Sequence, residues 1–351
     1  MNNDNPRLIS IATANPGKSY NQSAVFDMLN YTDNRISKIF ANSHIKSRYL
    51  CFPDPDQHGE MPEESALDLW EKNRYESIEI GQVAIQKTLN AANLNPSDID
   101  YLACVTTTGF LCPGLSAHFI KEMGFRQDIH RIDIVGMGCN AGLNAMQPVV
   151  NYCRQNRNGY GLLVCVEICS AAYIKEDNIG TAVVNSLFGD GSAAAILTSN
   201  EEWNQKEGVE IVDFGSYIVP DRIDAMRFDY DGDKYAFRLE KDIPYVLGNS
   251  VEIPVKALLD KHGLKIRDID HWVIHSGGQK VINSIKFSLD ISDHAVRHTE
   301  DVLAEYGNLS SGAFLFSYER LIKEQVVLPD DNVFMITMGP GTTIECCLGK
   351  F

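Results

Sequence analysis

The chain reads as an α/β protein made of one unit used twice, its halves related by a pseudo-twofold axis. Three observations predict this. The stretch Leu94-Asn-Pro-Ser-Asp98-Ile-Asp100-Tyr-Leu-Ala-Cys-Val-Thr-Thr-Thr-Gly109 is matched 170 residues later by Leu264-Lys-Ile-Arg-Asp268-Ile-Asp270-His-Trp-Val-Ile-His-Ser-Gly-Gly278. In both copies a polar turn leads into an apolar strand that ends in small or polar residues and glycine. A glycine-bearing strand pair also recurs late in each half, at Leu187-Phe-Gly-Asp-Gly191 and Met338-Gly-Pro-Gly341. Finally, Ile132, Ile134 and Val135 form a short apolar strand, whereas Ala145, Met146, Val149 and Val150 recur at helical spacing, with Cys139 at the join. The 170-residue offset carries Cys139 to residue 309, inside Tyr306-Gly-Asn308-Leu-Ser-Ser-Gly312, where Gly and a polar residue again precede a helical run, Ala313, Phe314, Phe316 and Leu321.

The other elements follow in order. Leu8 to Ala12 is a strand, and Gln22 to Leu29 and Asp33 to Ala41 are helices. Pro53 to Pro62 is a loop punctuated by Pro and Gly. A long amphipathic helix runs from Glu64 to Ala92, apolar at Leu67, Leu69, Ile78, Ile80, Val83, Ala84 and Leu89, with a break expected near Asn73. The polar turn Thr198–Trp203 divides the chain into residues 1–203, carrying Cys139, and 204–351, carrying His275 and Asn308. The second half opens with a strand from Val209 to Tyr217, continues through an acidic hairpin at Asp229-Tyr-Asp-Gly-Asp233, and reaches a helix from Ile243 to Leu259.

Composition narrows the function. A length of 351 residues with 44% hydrophobic and 22% charged residues suits a folded globular chain. A formal charge of −16 argues against a nucleic-acid partner. The polar N-terminus lacks a signal-peptide core, and no apolar run nears the roughly 18 residues of a membrane span, so a cytoplasmic setting is expected. The nine cysteines show no paired metal-ligand spacing and read as reduced thiols, with no metal. An anionic ligand would need a local basic patch, which Lys38, Lys46 and Arg48 supply.

A thiol with an ordinary pKa near 8.5 needs help to act as a nucleophile at neutral pH. Gly136 and Gly138 permit a tight turn that sets Cys139 at a helix N-terminus, a field expected to favour thiolate. His275 ends a strand of the repeat and Asn308 precedes its second helix, so the internal symmetry gathers both around Cys139. His271 and His275 are four apart but in a strand, which does not make the helical ligand pair of a metallohydrolase.

With Gly136-Met-Gly-Cys139, Leu187-Phe188-Gly-Asp-Gly191, Phe237-Arg-Leu-Glu-Lys-Asp-Ile-Pro244, His275-Ser-Gly-Gly278, Glu305-Tyr-Gly-Asn308-Leu-Ser-Ser311 and Gly339-Pro-Gly341 in order along it, the chain resembles the thiolase superfamily and, within it, the type III polyketide synthases. The resemblance implies a thiolase fold, that is a duplicated five-layered αβαβα core with pseudo-twofold symmetry, together with a homodimer, malonyl-CoA as substrate and no cofactor beyond coenzyme A thioesters. It implies that Cys139 carries the acyl chain, that His275 holds it as thiolate, and that His275 and Asn308 stabilise an enolate oxygen. Phe188 and Phe237 correspond to two gatekeeping aromatics, the former expected in a strand after Leu187. Lys46 and Arg48 correspond to cations for CoA phosphates, and Thr107, Cys169, Ala172 and Ser310 to cavity residues. Asn140 stands where plant-type members carry an aromatic, and Val166-Glu-Ile-Cys-Ser-Ala-Ala-Tyr173 lacks their threonines. These segments are more similar to the bacterial 3,5-dihydroxyphenylacetyl-CoA synthases. A pyrone or alkylresorcinol cyclisation, a carrier-protein-dependent ketoacyl synthase III and a silent ketosynthase-like scaffold remain the alternatives.

Overall fold

The computed structural model describes residues 5–57, 61–203, 208–232 and 234–351. The polar tetrapeptide at the N-terminus, residues 58–60 of the Pro/Gly loop, the start of the second half at 204–207 and Asp233 of the acidic hairpin lie outside the described residues.

Strand β1 (Arg7–Ala14) alternates buried and half-buried positions along its length. A small cap follows: β2 (Ser19–Asn21) and β3 (Ser47–Tyr49) pair antiparallel around α1 (Gln22–Met28) and α2 (Asn34–Ala41). Asn21 and Asp33 start these helices by accepting backbone N–H bonds. Helix α3 (Ala66–Ala92) opens on a Ser65/Asp68 capping box and runs unbroken through Asn73, contrary to expectation. Asn73 is buried and donates to Thr108 Oγ1 at 3.2 Å, so its side chain serves a long-range contact and does not compete for its own helix's hydrogen bonds. The buried face of α3 is Leu69, Asn73, Ser77, Ile80 and Ala84, while Leu67 and Val83, expected on that face, are exposed.

The first half continues through β4 (Ile99–Thr106), α4 (Leu115–Met123), β5 (His130–Val135), α5 (Ala141–Gln155), β6 (Tyr160–Glu167), α6 (Ile179–Leu187) and β7 (Gly191–Thr198). The second half holds β8 (Val209–Ile218), the hairpin β9 (Met226–Asp231) with β10 (Lys234–Leu239), and α7 (Ile243–Lys261). It ends with β11 (His271–Ile274), α8 (Gln279–Leu289), α9 (Asp293–Tyr306), α10 (Ala313–Glu324), β12 (Asn332–Gly339) and β13 (Thr343–Lys350).

The sheet order β11-β12-β13-β8-β1-β7-β6-β4-β5 makes the duplication visible. β4 pairs parallel with β6 as β11 does with β12, and β6-β7-β1 runs antiparallel as β12-β13-β8 does. Among the described residues the half-sheets meet where Arg7 faces Glu210 and Leu8 faces Val209, with Ile211 N donating to Pro6 O beside them. Because strand side chains alternate, each half-sheet buries both faces. Leu102, Leu162 and Ile196 pack under α3 and α4 at Ile80, Leu89 and Phe119. Between the half-sheets, Met146 and Val150 of α5 and Phe314 and Leu321 of α10 meet Leu163, Ala195, Val333 and Met335. On the far side Phe334, Ile336 and Leu348 receive Leu247 and Val255 of α7 and Ile282 and Ile285 of α8. Five layers result, with α5 and α10 in the middle.

Short helical turns at Pro96–Asp98 and Ile266–Asp268 sit 170 residues apart, as the repeat requires. The turns feeding the central helices, Gly138–Asn140 and Ser310–Gly312, sit 172 apart. The counterpart of Cys139 is therefore Ser311 and not residue 309. The slip arises because β5 leads into the first turn and the C-terminus of α9 into the second, so the segments between repeat and turn differ in kind.

Candidate active site

The nucleophile turn is held by backbone geometry. Gly138 has φ +76°, and a Cβ there would lie 2.1 Å from Pro340 Cδ, so only glycine lets the Gly-Pro-Gly loop between β12 and β13 close over the turn. Cys139 is 7% exposed and its Sγ lies 3.6 Å from Ser310 Oγ, in the matching turn of the second half. Burial pushes its thiol up to about 12, against the opposing hydrogen bonds of Ser310 and Asn308 and its own backbone N–H. The expectation that the helix N-terminus alone would favour thiolate is corrected: desolvation outweighs that field.

Ser310 belongs to a directed chain of hydroxyls. Thr107 Oγ1 donates to the Glu167 carboxylate at 3.0 Å and stands 2.9 Å from Ser310 Oγ. With its single proton so used, Thr107 accepts from Ser310, which accepts from the Cys139 thiol and, once the sulfur is ionised, turns its own proton to the thiolate, the bond that lowers the thiol's pKa. Glu167 is buried at the end of β6, also receives the Thr107 N–H and the Ser311 hydroxyl, and is held above the ordinary carboxyl range by burial. It was missed in the sequence; its signal is a lone charge closing the apolar run Gly161–Val166.

His275 follows β11, anchored by its N–H to Ile336 O at 2.9 Å. It is 3% exposed, its Nδ1 is buried without a partner, and burial lowers its pKa to about 3. Asn308 turns its side-chain Oδ1 to Ser310 N at 2.8 Å, which leaves its amide N–H groups to donate. Its backbone is clamped to the end of α6: Asn308 N donates to Leu187 O at 2.8 Å and Gly189 N donates to Asn308 O at 3.0 Å. Leu187 is thus the last residue of a helix, not part of a strand, and Phe188 is its extended cap, bridged to Asn308.

Thr107, Cys139, Cys169, Ala172, Phe188, Phe237 and Ser310 line one cavity. The structure brings together there every expected cavity residue, and adds Thr108, Gly138, Val184, Phe228 and Pro340. The Phe188 and Phe237 rings meet edge to face, centroids 5.6 Å apart. Phe228 was missed because it sits in the acidic hairpin; its register opposite Phe237 is what turns it inward.

Of the two expected phosphate-binding cations, Lys46 is exposed and Arg48 is not. Arg48 is 0% exposed, and its Nη1 donates to Tyr173 Oη, Asn185 O and Phe188 O, each at 2.7 Å. A phosphate in solvent cannot reach it, so its expected role is corrected; Lys38 is the other exposed cation of that stretch. Among the described residues no cluster of three His, Cys, Asp or Glu side chains is arranged to hold a metal, and no helix is long and apolar enough to cross a membrane.

Two layered half-sheets around a central helix pair, with a buried Cys139 met by the Asn308 and Ser310 side chains of the opposite half and His275 buried just past β11, define a thiolase-like acyltransferase. Residues 34–259 match the family model described as FAE1/type III polyketide synthase-like protein, and residues 214–350 match that of the chalcone and stilbene synthase C-terminal domain. The chain belongs to the type III polyketide synthases. It is 46% identical over 97% of its length to a 3,5-dihydroxyphenylacetyl-CoA synthase of Amycolatopsis balhimycina, covering 92% of that protein. It is 30% identical over 89% of its length to the 1,3,6,8-tetrahydroxynaphthalene synthase of Streptomyces coelicolor, covering 82% of that protein. Among solved structures, PKS-I of the brown alga Ectocarpus siliculosus superposes with a TM-score of 0.90 at 25% identity, covering 99% of this chain and 98% of that one.

Proposed function

We propose that this enzyme condenses malonyl-CoA, one unit decarboxylated as starter and three as extenders, and closes the C8 chain to 3,5-dihydroxyphenylacetyl-CoA for secondary metabolism. The observation that carries the reading is the 46% identity along 97% of the chain to a synthase of that name, against 30% to the naphthalene-forming relative.

The chemistry follows from the site. The Cys139 thiol and His275 imidazole are both neutral at rest, one raised to about 12 and the other lowered to about 3, so charge is made only in pairs. As the sulfur attacks a thioester carbonyl its proton passes to His275, and the departing CoA thiolate takes that proton away as CoA thiol. His275 is then neutral again and can donate, with Asn308, to the thioester oxygen of the next malonyl unit. Loss of CO2 converts a carboxylate into an enolate. Neutral donors aimed at the enolate oxygen favour that transition state, and the Phe188, Phe237 and Phe228 rings strip water from the carboxylate that is leaving. The enolate carbon attacks the Cys139 thioester and the sulfur leaves as thiolate, which takes up from solvent the one proton that decarboxylative condensation consumes and is restored as thiol for reloading.

The enzyme works as a cytoplasmic homodimer with no cofactor beyond its thioester substrates. In support, all nine cysteines are unpaired, and Leu67, Trp70 and Phe110 leave apolar surface exposed at 61%, 43% and 71%. Lys38 and Lys46 are the cations offered for CoA phosphates. The test is purified protein with malonyl-CoA alone, analysed by mass spectrometry. CO2 and a C8 aromatic thioester or acid are expected; a pyrone or alkylresorcinol would overturn the cyclisation, and a strict need for acyl carrier protein would favour a ketoacyl synthase III.

A further inference from the structure

Arg48 is a buried cation that neither phosphate binding nor the acyl-transfer steps account for, and its surroundings give it another task. Three oxygens converge on its Nη1, and two of them, Asn185 O and Phe188 O, are carbonyls at the C-terminal end of α6. Such carbonyls have no partner inside their own helix, and a cation there also meets the negative end of the helix dipole. The third oxygen, Tyr173 Oη, itself donates to Phe188 O, so the Phe188 carbonyl is gripped twice.

The stem of the same side chain braces the segment that follows α9. A Cβ on Gly307, φ +73°, would lie 2.8 Å from Arg48 Cδ and 2.7 Å from Leu187 O. The Gly307-Asn308 segment therefore rests directly on Arg48 and on the end of α6. Nε and Nη2 of Arg48 are buried without partners, a cost that the three oxygens sharing the two Nη1 protons must outweigh. A buried charge retained under those terms is concentrated on one object: the junction that sets Phe188 and Asn308 side by side.

We propose that Arg48 is a positioning residue for malonyl decarboxylation: by fixing the α6 terminus it sets the Phe188 ring and the Asn308 amide in register over the Cys139 cavity. The inference rests on the proposed malonyl-CoA chemistry. It separates two functions of one site, because the Cys139 turn is held by the close approach of Gly138 to Pro340, whereas Arg48 holds the α6 terminus.

The test uses the full chain with Arg48→Lys and Tyr173→Phe. Each is measured for CO2 release from malonyl-CoA, for the rate of Cys139 alkylation by iodoacetamide relative to the parent, and for thermal unfolding. Lysine keeps the charge but not the reach to three oxygens. Expected is a fall in CO2 release of about tenfold or more in Arg48→Lys and a smaller fall in Tyr173→Phe, with alkylation within about twofold of the parent. Tyr173→Phe keeps the guanidinium and decides the matter should Arg48→Lys not fold. Unchanged CO2 release, or CO2 release and alkylation falling together, overturns the proposal. A parent chain that releases no CO2 overturns the substrate reading and this inference with it, whereas an active parent with unaffected variants overturns this inference alone.

Discussion

Two short helical turns, Gly138–Asn140 and Ser310–Gly312, feed the two central helices α5 and α10 and are related by the fold's own symmetry. Their residues meet across the pseudo-dyad, yet one turn carries the nucleophile and the other carries what surrounds it. Cys139 is a thiol held by burial near 12, while Ser310 and Ser311 are hydroxyls that link Thr107, Glu167 and the sulfur. Duplication gave two equivalent places next to each other; chemistry needed only one nucleophile, so the second place became its support. Substitutions on each side can break or sharpen that division.

The largest effect is expected at the nucleophile. Cys139→Ala should lower condensation by about three orders of magnitude or more, read as product formed from malonyl-CoA. Retained product would move the nucleophile elsewhere. Across the dyad, Asn308→Ala should cut CO2 release about a hundredfold, the usual cost of removing one donor to a developing oxyanion. Its alkylation rate at Cys139 should fall far less, by about the fivefold that one lost hydrogen bond to the sulfur allows. If both fall together, Asn308 acts on the thiol and not on the enolate.

His275 supplies a pH test. Its pKa is lowered to about 3 in the folded chain by burial, against an ordinary value near 6.5 when unfolded. Stability from its neutral burial is fully present above pH 6.5, and as pH falls toward 3 the unfolded chain takes up a proton that the folded chain refuses. Unfolding free energy should therefore drop by ~1 kcal/mol per pH unit in that window. Glu167, Asp190 and Glu345, all raised by burial, run in the opposite sense. The measurement is thus the difference between the parent and His275→Gln in urea titrations at several pH values. An identical slope in both would refute neutral burial of His275.

The fold was legible because its signals are local or repeated. Polar-turn-to-strand pairs at one offset announce a duplication, and glycines at 138 and 341 mark turns that only positive φ permits. The cavity residues were legible as motifs. What escaped depends on contacts between distant residues. Arg48 sits in a three-residue strand whose middle position points inward, and its partners lie 125 to 140 residues away, so nothing local distinguished it from exposed Lys46. Asn73 looked like a helix breaker because its partner, Thr108, lies 35 residues on. The two-residue slip between repeat and turn hid Ser311 as the counterpart of Cys139, since β5 and α9 share no pattern to align.

Ser311 tests the second turn's structural share. Its hydroxyl and N–H both approach Glu167 Oε1, inside a site that is fully buried. Ser311→Ala leaves that oxygen with one fewer donor, and unfolding free energy should fall by about 1–3 kcal/mol in urea titration. An unchanged midpoint would mean that Thr107 and the Ser311 N–H satisfy the carboxyl without that hydroxyl.

The smallest effect, and the one that separates neighbours within a turn, is expected at Ser310. Its Oγ is the hydroxyl 3.6 Å from the Cys139 sulfur, and its hydrogen bond opposes the rise that burial imposes on the thiol. Ser310→Ala removes that opposition but leaves Glu167 its bonds to Thr107 and Ser311, so stability should change little. A single hydrogen bond of ~1 kcal/mol corresponds to about a fivefold slower alkylation at fixed neutral pH. Thr107 then loses the hydroxyl that donates to it and keeps its own bond to Glu167, which makes Thr107→Val the control: it breaks the chain one step further from the sulfur. If the relay acts on the thiol only through Ser310, Thr107→Val should slow alkylation less than Ser310→Ala does. Equal slowing would mean that the carboxyl end of the chain, not the adjacent hydroxyl, sets the proton affinity of Cys139.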